Sequence, residues 1–544
     1  MNTIPLRIQA ADRRDGTVTF IDGDDAAPVR WSELDRDAKA MSVGMAAQGV
    51  GPGDHVALLG PTTRDLVTAI EAIWLSGATA VVLPLPMRMS SIEEFVQQTR
   101  RRVLDAHIKL LVVDADLAPF LAPEEGDPLT VGYDEIRGDG STWTPPPTTP
   151  DDLAILQFTS GSTSDPKGVM LPHKTVLANV DAIASAISLD PEVDVAVSWL
   201  PLYHDMGLVG ILTSGMVRGV DLILAGPQTF MASPARWVQW LSTYHGTITA
   251  GPNFAWVLAA RALKRLDDLD LSALRLGLNG AEPVDHRTVD ALVEAGARHG
   301  MHAGAVFPAF GMAECCIAGT FPEPMSGLRL DVVDQRVLET EHYAAPADAD
   351  AEGTKSFALL GRPVEGLEIR VVDPESGDLR KEREVGELQI RGTSIMAGYY
   401  NRPDATADAF DGDWFRTGDL AYLLGEELVL CGRIKDMIIV AGRNVYPEDV
   451  ERSVAEVEGV RAGNVIAFGV TGSRREGVVV VAEAKTDDLA TVRNDVEARI
   501  RQTIGLAAND VVLVQPGSLP KTSSGKLQRS LCRERYLGEE LQPV

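Results

Sequence analysis

Apolar, β-branched runs alternate with amphipathic stretches up to about residue 430, and this alternation limits the available folds more than any other feature. The runs include His55-Val-Ala-Leu-Leu59, Ala78-Thr-Ala-Val-Val-Leu83, Lys109-Leu-Leu-Val-Val113 and Asp221-Leu-Ile-Leu224. Between them, Arg64 to Leu75 and Val176 to Ile187 carry apolar residues at helical spacing. Strands of this kind need cover on both faces, so the pattern predicts α/β layers with mostly parallel sheets. A chain of 544 residues exceeds what one core serves, so at least two domains are expected.

The linkers are legible too. Thr142-Trp-Thr-Pro-Pro-Pro-Thr-Thr-Pro-Asp151 can continue neither helix nor sheet, and Glu341 to Lys355 reads as an exposed acidic loop. Near residue 433 the character changes. Arg433-Ile-Lys-Asp436 precedes the apolar Met437-Ile-Ile-Val440 and a Gly-Arg-Asn turn. A helix over 447–457, a strand over 477–482, a helix over 489–504 and a strand over 511–514 are then predicted. The expected architecture is a large layered α/β domain over 1–432, a joint at 433–436 and a small α+β domain over 437–544.

Composition excludes several classes. With 45% apolar and 24% charged residues the chain reads as a soluble globular protein. A formal net charge of −28 repels phosphate backbones and argues against nucleic-acid binding. Only four cysteines occur, in no zinc-binding pattern, as suits a reducing compartment. The start, Met1 to Arg7, lacks a basic-then-apolar signal pattern. The longest apolar segment, Leu208 to Ala225, is broken by Arg218 and Asp221, so no integral membrane segment is expected. A cytoplasmic location follows as the expectation.

After the apolar run Leu153-Ala-Ile-Leu156 comes Thr159-Ser160-Gly161-Ser162-Thr163-Ser-Asp-Pro-Lys167-Gly. A strand thus delivers a loop of hydroxyls, backbone N–H groups and one lysine that suits a polyphosphate. Lys167 precedes its glycine, so this is not the common nucleotide phosphate loop. Further on stand Trp199-Leu-Pro-Leu-Tyr203-His204-Asp-Met206-Gly207, Asn279-Gly280-Ala281-Glu282-Pro283 and Phe310-Gly311-Met312-Ala313-Glu314. Thr417-Gly-Asp419, Gly432-Arg433-Ile-Lys435-Asp436 and Pro520-Lys-Thr-Ser-Ser-Gly-Lys526-Leu-Gln-Arg529 close the series. Singly, each admits a plainer reading: a solvated Ser/Gly turn, a turn aspartate, a packed core histidine, a surface lysine. Their order is far more specific.

Together these motifs resemble the ANL superfamily of adenylate-forming enzymes over essentially the whole chain. The resemblance implies that family's fold, a layered N-terminal domain with a C-terminal lid, and its substrates ATP and Mg²⁺. In such chemistry a carboxylate attacks the α-phosphate of ATP, pyrophosphate leaves, and a nucleophile takes the acyl group from the acyl-adenylate. Two anions must meet, so cationic stabilisation and positioning carry the step. By resemblance, Thr159 to Lys167 hold the β- and γ-phosphates and Glu314 helps hold Mg²⁺. Gly280, Ala281 and Glu282 line the adenine, with Phe310 packing on it and Gly311, Met312 and Ala313 beside it. Asp419 accepts the ribose hydroxyls and Arg433 reaches ribose or phosphate. Lys526, with His204, serves the reacting carboxylate and α-phosphate, and Lys435 and Asp436 form a hinge between half-reactions.

Within the superfamily the chain is most similar to fatty acyl-AMP ligases. Tyr203-His-Asp-Met-Gly-Leu208 and Gly251-Pro-Asn253-Phe254-Ala-Trp256 look like that branch, with Tyr203, Met206, Gly207, Asn253 and Phe254 bordering the acyl tunnel. Ala313 stands where most acyl-CoA synthetases carry threonine. Leu328 to Pro363 resembles the branch's insertion, which disfavours the rotation that admits CoA. The implied substrate is a medium- or long-chain fatty acid, and the implied acceptor is an acyl carrier protein or a polyketide- or peptide-synthase carrier domain. The alternatives are CoA as the acceptor and a non-catalytic acyl-adenylate-binding protein, although Lys526, Glu314 and Asp419 are all present. Carrier proteins are usually acidic, so docking calls for a local basic face, for which Arg474, Arg475, Arg529, Arg533 and Arg535 are candidates.

Overall fold

The computed structural model describes the chain apart from residues 1–2, 12–14, 87–91, 123, 160–165, 441–442, 472–475, 487, 506 and 523–524. Two seven-stranded sheets organise the large part. One runs Val306–Pro308, Leu276–Asn279, Ile248–Gly251, Val195–Ser198, Asp221–Ala225, Thr17–Asp22 and Asp25–Arg30, with parallel neighbours except for the final hairpin. The other runs Gly398–Tyr399, Gly168–Pro172, Leu153–Phe158, Thr79–Val82, His55–Leu59, Ile108–Val113 and Leu129–Val131. Its last five strands are parallel, and the first two pair antiparallel.

The apolar runs became strands because they can be covered on both faces. All five residues of His55–Leu59 are buried. Helix Arg64–Leu75 starts where the Thr63 hydroxyl accepts the Leu66 N–H, and every residue from Leu66 to Leu75 is buried. This helix is therefore a core element and not the half-solvated one its spacing suggests. Trp74 donates its indole N–H to the Ala154 carbonyl at 2.9 Å, tying it to the neighbouring strand.

A third sheet departs from the mostly parallel expectation. Leu367–Val372, Gly386–Gly392, Trp414–Leu424, Phe410–Asp411 and Glu427–Arg433 are all paired antiparallel. For the pairings at Gly412-Asp413 and Gly425-Glu426 the cause is connection length. Only Gly425 and Glu426 separate two of these strands, which permits a hairpin and forbids a parallel crossover.

Beyond Met437 a three-stranded sheet of Val460–Thr471, Glu476–Ala484 and Asp510–Val514 carries helices Pro447–Val454, Leu489–Ile504 and Arg529–Leu537. Strand Val460–Thr471 and helix Arg529–Leu537 go beyond the sequence reading. One core cluster gathers residues from Ile4 to Leu428, and a separate one gathers Ile438 to Leu513. Among the described residues no helix is long and apolar enough to cross a membrane.

A smaller cluster joins the two parts, with Val333, Leu338, Phe357, Tyr422 and Val429 packed with Tyr446. Its scaffold is the segment singled out as an insertion. Leu330–Asp334 and Thr354–Ala358 pair antiparallel around helix Gln335–Glu341, and most of 341–353 is exposed, as its acidic composition suggested. Thr354 and Lys355, read as the end of that loop, instead open the second strand, and Lys355 is buried. From this segment the Lys355 ammonium meets Asp449 of the C-terminal part at 2.6 Å, both side chains 7% exposed, and lies 4.0 Å from the Tyr446 ring centroid. Glu339 pairs with Arg443 beside it. Without Lys355, the buried Asp449 would keep only Arg452, a half-exposed partner 2.9 Å from its Oδ1, and removing one partner of a buried ion pair is costly. Lys355→Met should cost roughly 3 kcal/mol, read as a lower urea midpoint, and adding Asp449→Asn should recover part of that loss. Independent, additive losses would contradict this coupling.

Candidate active site

A cavity of about 2750 Å³ lies between the large part and the C-terminal part. Its wall is built where parallel strands end. Thr159 follows Leu153–Phe158, Tyr203 and His204 follow Val195–Ser198, Asn253 follows Ile248–Gly251, Gly280 follows Leu276–Asn279, and Phe310 follows Val306–Pro308. Open α/β sheets place their binding crevices outside the carboxyl ends of the strands, where loops can vary without disturbing the core.

At one end the Thr159 N–H donates to the Lys167 carbonyl at 3.0 Å, closing the base of the hydroxyl-rich loop. Ser160, Gly161, Ser162 and Thr163 lie outside the described residues. The Lys167 ammonium sits 4.5 Å from the Tyr399 ring centroid, and the Tyr399 hydroxyl donates to Glu314 Oε1 at 2.9 Å. Burial raises the Glu314 carboxyl above its ordinary range, against the pull of the Tyr399 hydrogen bond. Tyr399 is placed by strand pairing, opposite Val169, which brings a residue more than two hundred positions away onto the loop's own lysine. The motifs did not single it out. The only sequence signal was the Gly398-Tyr-Tyr400 run. Gly311 is required for packing, because a Cβ there would lie 1.8 Å from the Ile317 carbonyl oxygen. Phe310, Met312 and Ala313 join it in the wall, with the Phe310 ring against Gly319.

Opposite, the C-terminal part inserts Lys526. Its turn is held by the Thr522 N–H donating to the Lys526 carbonyl at 2.8 Å, and by the Lys526 N–H donating to Thr522 Oγ1 at 3.1 Å. The ammonium is buried, which lowers its pKa, and the Asp205 and Glu282 carboxylates oppose that shift. Glu282 in turn is raised by burial, against Lys526 and the Phe254 N–H that it accepts at 3.1 Å. Asp205 accepts the Met206 N–H at 2.7 Å and meets His204 Nδ1 at 2.5 Å. Burial pushes the Asp205 carboxyl up, but His204 and Lys526 overcome this and hold it below the ordinary carboxylate range. Lys526, His204, Asp205, Glu282 and Phe254 therefore form one cluster drawn from both parts.

Two predicted residues do not face the cavity. A Cβ on Gly207 would lie 2.3 Å from the Pro201 carbonyl oxygen, so Gly207 is a packing glycine. Asp419 is 5% exposed beneath Arg433, whose Nε lies 2.9 Å from Asp419 Oδ1 across a hairpin that sets the two residues opposite each other. Ala281, Met206, Tyr203 and Arg433 do line the cavity. Asn253 accepts from the Asn279 side chain at 3.1 Å and from the Asp285 N–H at 3.2 Å, which fixes its wall position. Apolar side chains such as Trp199, Ile211, Met231 and Leu258 also line the cavity.

The joint is a single turn, Ile434–Asp436, and both Lys435 and Asp436 border the cavity. Burial lowers the Lys435 amine. Asp436 Oδ2 pairs with Arg529 Nη1 at 2.6 Å, and Arg529 also meets Glu448 and Glu451. Burial and the Glu448 charge push the Glu451 carboxyl up to about 7, against the Arg529 guanidinium. Arg529 is thus engaged by three carboxylates, which removes it from the proposed docking face. Arg474 and Arg475 lie outside the described residues.

The AMP-binding enzyme family model matches residues 6–400, and a model described as the AMP domain of Disco-interacting protein 2-like proteins matches 435–544. The long-chain-fatty-acid–AMP ligase FadD26 of Mycobacterium marinum is 32% identical, covering 98% of this chain and 96% of its own. A medium-chain-fatty-acid–[acyl-carrier-protein] ligase, JamA of Moorena producens, is 31% identical over 93% of this chain and 89% of its own. A solved structure from work on fatty acyl-adenylate ligases of E. coli and L. pneumophila superposes with a TM-score of 0.92 at 28% identity, covering 99% of this chain and 98% of that one.

The Lys526 environment has a measurable consequence. A lowered amine pKa makes the neutral, reactive form appear at lower pH, and Asp205 limits that lowering. The pH midpoint for acylation of Lys526 by an amine-directed reagent, followed by mass spectrometry, should lie below that of exposed lysines and fall further in Asp205→Asn. An unmoved midpoint would remove Asp205 from the account.

Proposed function

The chain belongs to the AMP-binding enzyme family, and from that premise we propose that it activates a medium- or long-chain fatty acid to its acyl-adenylate and passes the acyl group to the phosphopantetheine thiol of a carrier protein. The observation that carries this reading is the Lys526 ammonium, offset by Asp205 and Glu282 in a cavity that also carries apolar side chains such as Trp199, Ile211 and Leu258. A compact charge on a long stem suits two anions that must meet there. The named relatives, one a fatty-acid–AMP ligase and the other a fatty-acid–carrier-protein ligase, support the substrate and acceptor.

In the first half-reaction a carboxylate oxygen bonds to the α-phosphorus of ATP. The bond to the bridging oxygen breaks, and its electron pair leaves with pyrophosphate. Lys526 offsets the negative charge shared by the two reactants, which is the largest single contribution open to the site. Thr159 and Lys167, with the loop between them, take the β- and γ-phosphates. Gly280, Ala281, Glu282 and Phe310 take the adenine, and Arg433, held from behind by Asp419, reaches the ribose. In the second half-reaction the carrier's thiol sulfur bonds to the acyl carbon, its proton passes to water, and AMP leaves with the electron pair of the broken C–O bond.

Glu314 fits Mg²⁺ brought in with ATP. It is a half-buried carboxylate with Oε1 engaged by Tyr399, and no group of three or more His, Cys, Asp or Glu that could hold a metal by itself occurs among the described residues. That is the donor set of an ion held chiefly by phosphate oxygens and water, and the ion would neutralise the charge of the departing pyrophosphate. We read 433–436 as the hinge between a body of residues 1–432 and a lid of 437–544. The Lys355–Asp449 and Glu339–Arg443 pairs are the device by which 328–356 restrains that hinge against CoA entry.

The test is a product assay with ATP, Mg²⁺ and a fatty-acid series, with and without CoA. Acyl-AMP that accumulates unchanged by CoA is expected, and Lys526→Ala should lower its formation at least about 100-fold while the circular dichroism spectrum is kept. Acyl-CoA formed at a comparable rate would overturn the acceptor, and normal acyl-AMP formation by Lys526→Ala would overturn the mechanism.

A further inference from the structure

Arg529, the centre of the basic face expected on the C-terminal part, is committed to Asp436, Glu448 and Glu451. Among the described residues, a different cluster is free of such pairing. Along the end of helix Asn253–Leu263 the side chains of Arg261, Lys264 and Arg265 are all exposed, and no carboxylate among the described residues lies within ion-pairing distance of them. In a chain with 78 acidic and 50 basic residues, three neighbouring cations without a counter-charge stand out. Burial does not explain them, so they remain open to a charged partner.

Their place gives them meaning. Between helix Asn253–Leu263 and helix His286–Ala297 lies a recess of about 280 Å³, lined by Arg261, Lys264 and Arg287 together with Val257, Thr288 and Asp285. Asp285, the one carboxylate there, already caps its helix by accepting the Arg287 N–H at 3.1 Å. Several lining residues, Val257 and Thr288 among them, also line the large cavity, so the recess lies beside the site where an acyl-adenylate would form. Arg287 Nη1 reaches Glu456 of the C-terminal part at 2.6 Å, which puts this cationic edge on the seam between body and lid.

We propose that the edge formed by Arg261, Lys264 and Arg265 is the docking surface for an acidic carrier domain, set so that its prosthetic arm enters the cavity along the seam. The inference rests on the transfer step proposed above. Charge complementarity is its ground, because in a chain of net charge −28 three adjacent exposed cations with no ion-pair partner among the described residues give a local attraction for an acidic protein that the net charge opposes. Attraction between exposed charges acts on encounter and weakens with salt.

The experiment begins with wild-type enzyme and a panel of phosphopantetheinylated acidic carrier proteins, and continues with the carrier acylated fastest. Lys264→Glu/Arg265→Glu is compared with wild type for acyl-AMP formation, for acyl transfer to that carrier over a range of NaCl, and for transfer to free pantetheine. The expected result is acyl-AMP formation and pantetheine transfer within about twofold of wild type, with the KM for the carrier raised about tenfold or more and its salt dependence flattened. Replacing acidic residues of the carrier by lysine should restore transfer to the variant. An unchanged carrier KM and salt dependence would overturn the docking surface and leave the proposed function standing. If no carrier in the panel is acylated by wild type while acyl-AMP still forms, the acceptor reading fails and the docking surface fails with it.

Discussion

One buried ammonium organises this molecule. Lys526 belongs to the C-terminal part, yet the charges that offset its burial, Asp205 and Glu282, belong to strand-end loops of the large part. Desolvating a lone ammonium is costly, and opposite charge across the boundary is what makes the position tenable. Opposite charge thus holds this lysine of the C-terminal part beside the strand-end loops of the large part. The two carboxylates are themselves held in place, Asp205 by His204 and Glu282 by the Phe254 N–H.

The strand ends needed nothing more than hydrophobic pattern to be found. His55–Leu59, Asp221–Ala225 and Leu153–Phe158 are predominantly apolar runs, and each became a largely buried strand as two-sided cover requires. The loops that follow the strands carry the polar motifs, so reading the motifs in order came close to reading the cavity wall. Tyr399 escaped because its role depends on the pairing of Gly398–Tyr399 with a strand far away in sequence, a relation that no local spacing reports. The antiparallel third sheet escaped because hairpin links such as Gly425-Glu426 are short and weakly marked. Gly207 was read as a pocket residue from its motif, but it is there because the Pro201 carbonyl leaves no room for a side chain. A motif tells which residues matter without saying whether they matter by contact or by packing.

Charge was the least legible level. Arg529 sits in the most recognisable C-terminal motif and looked exposed, yet it is the hub of a network with Asp436, Glu448 and Glu451 that ties the joint to the C-terminal part. Lys355, unremarkable in sequence, forms a buried bridge to Asp449. Both are long-range pairings, and neither follows from periodicity. They make the seam between the two parts an ordered, ion-paired surface, so any motion about residues 433–436 must break specific contacts as well as bend a turn.

The central claim is that the substrate carboxylate attacks the α-phosphorus of ATP under the Lys526 ammonium. It is tested most directly by following oxygen. With a fatty acid labelled with ¹⁸O in its carboxyl group, release of the acyl group to a thiol should leave one ¹⁸O atom in AMP, with unlabelled pyrophosphate formed beside it. Appearance of ADP together with ¹⁸O-labelled inorganic phosphate would place the attack at the terminal phosphorus and contradict the account.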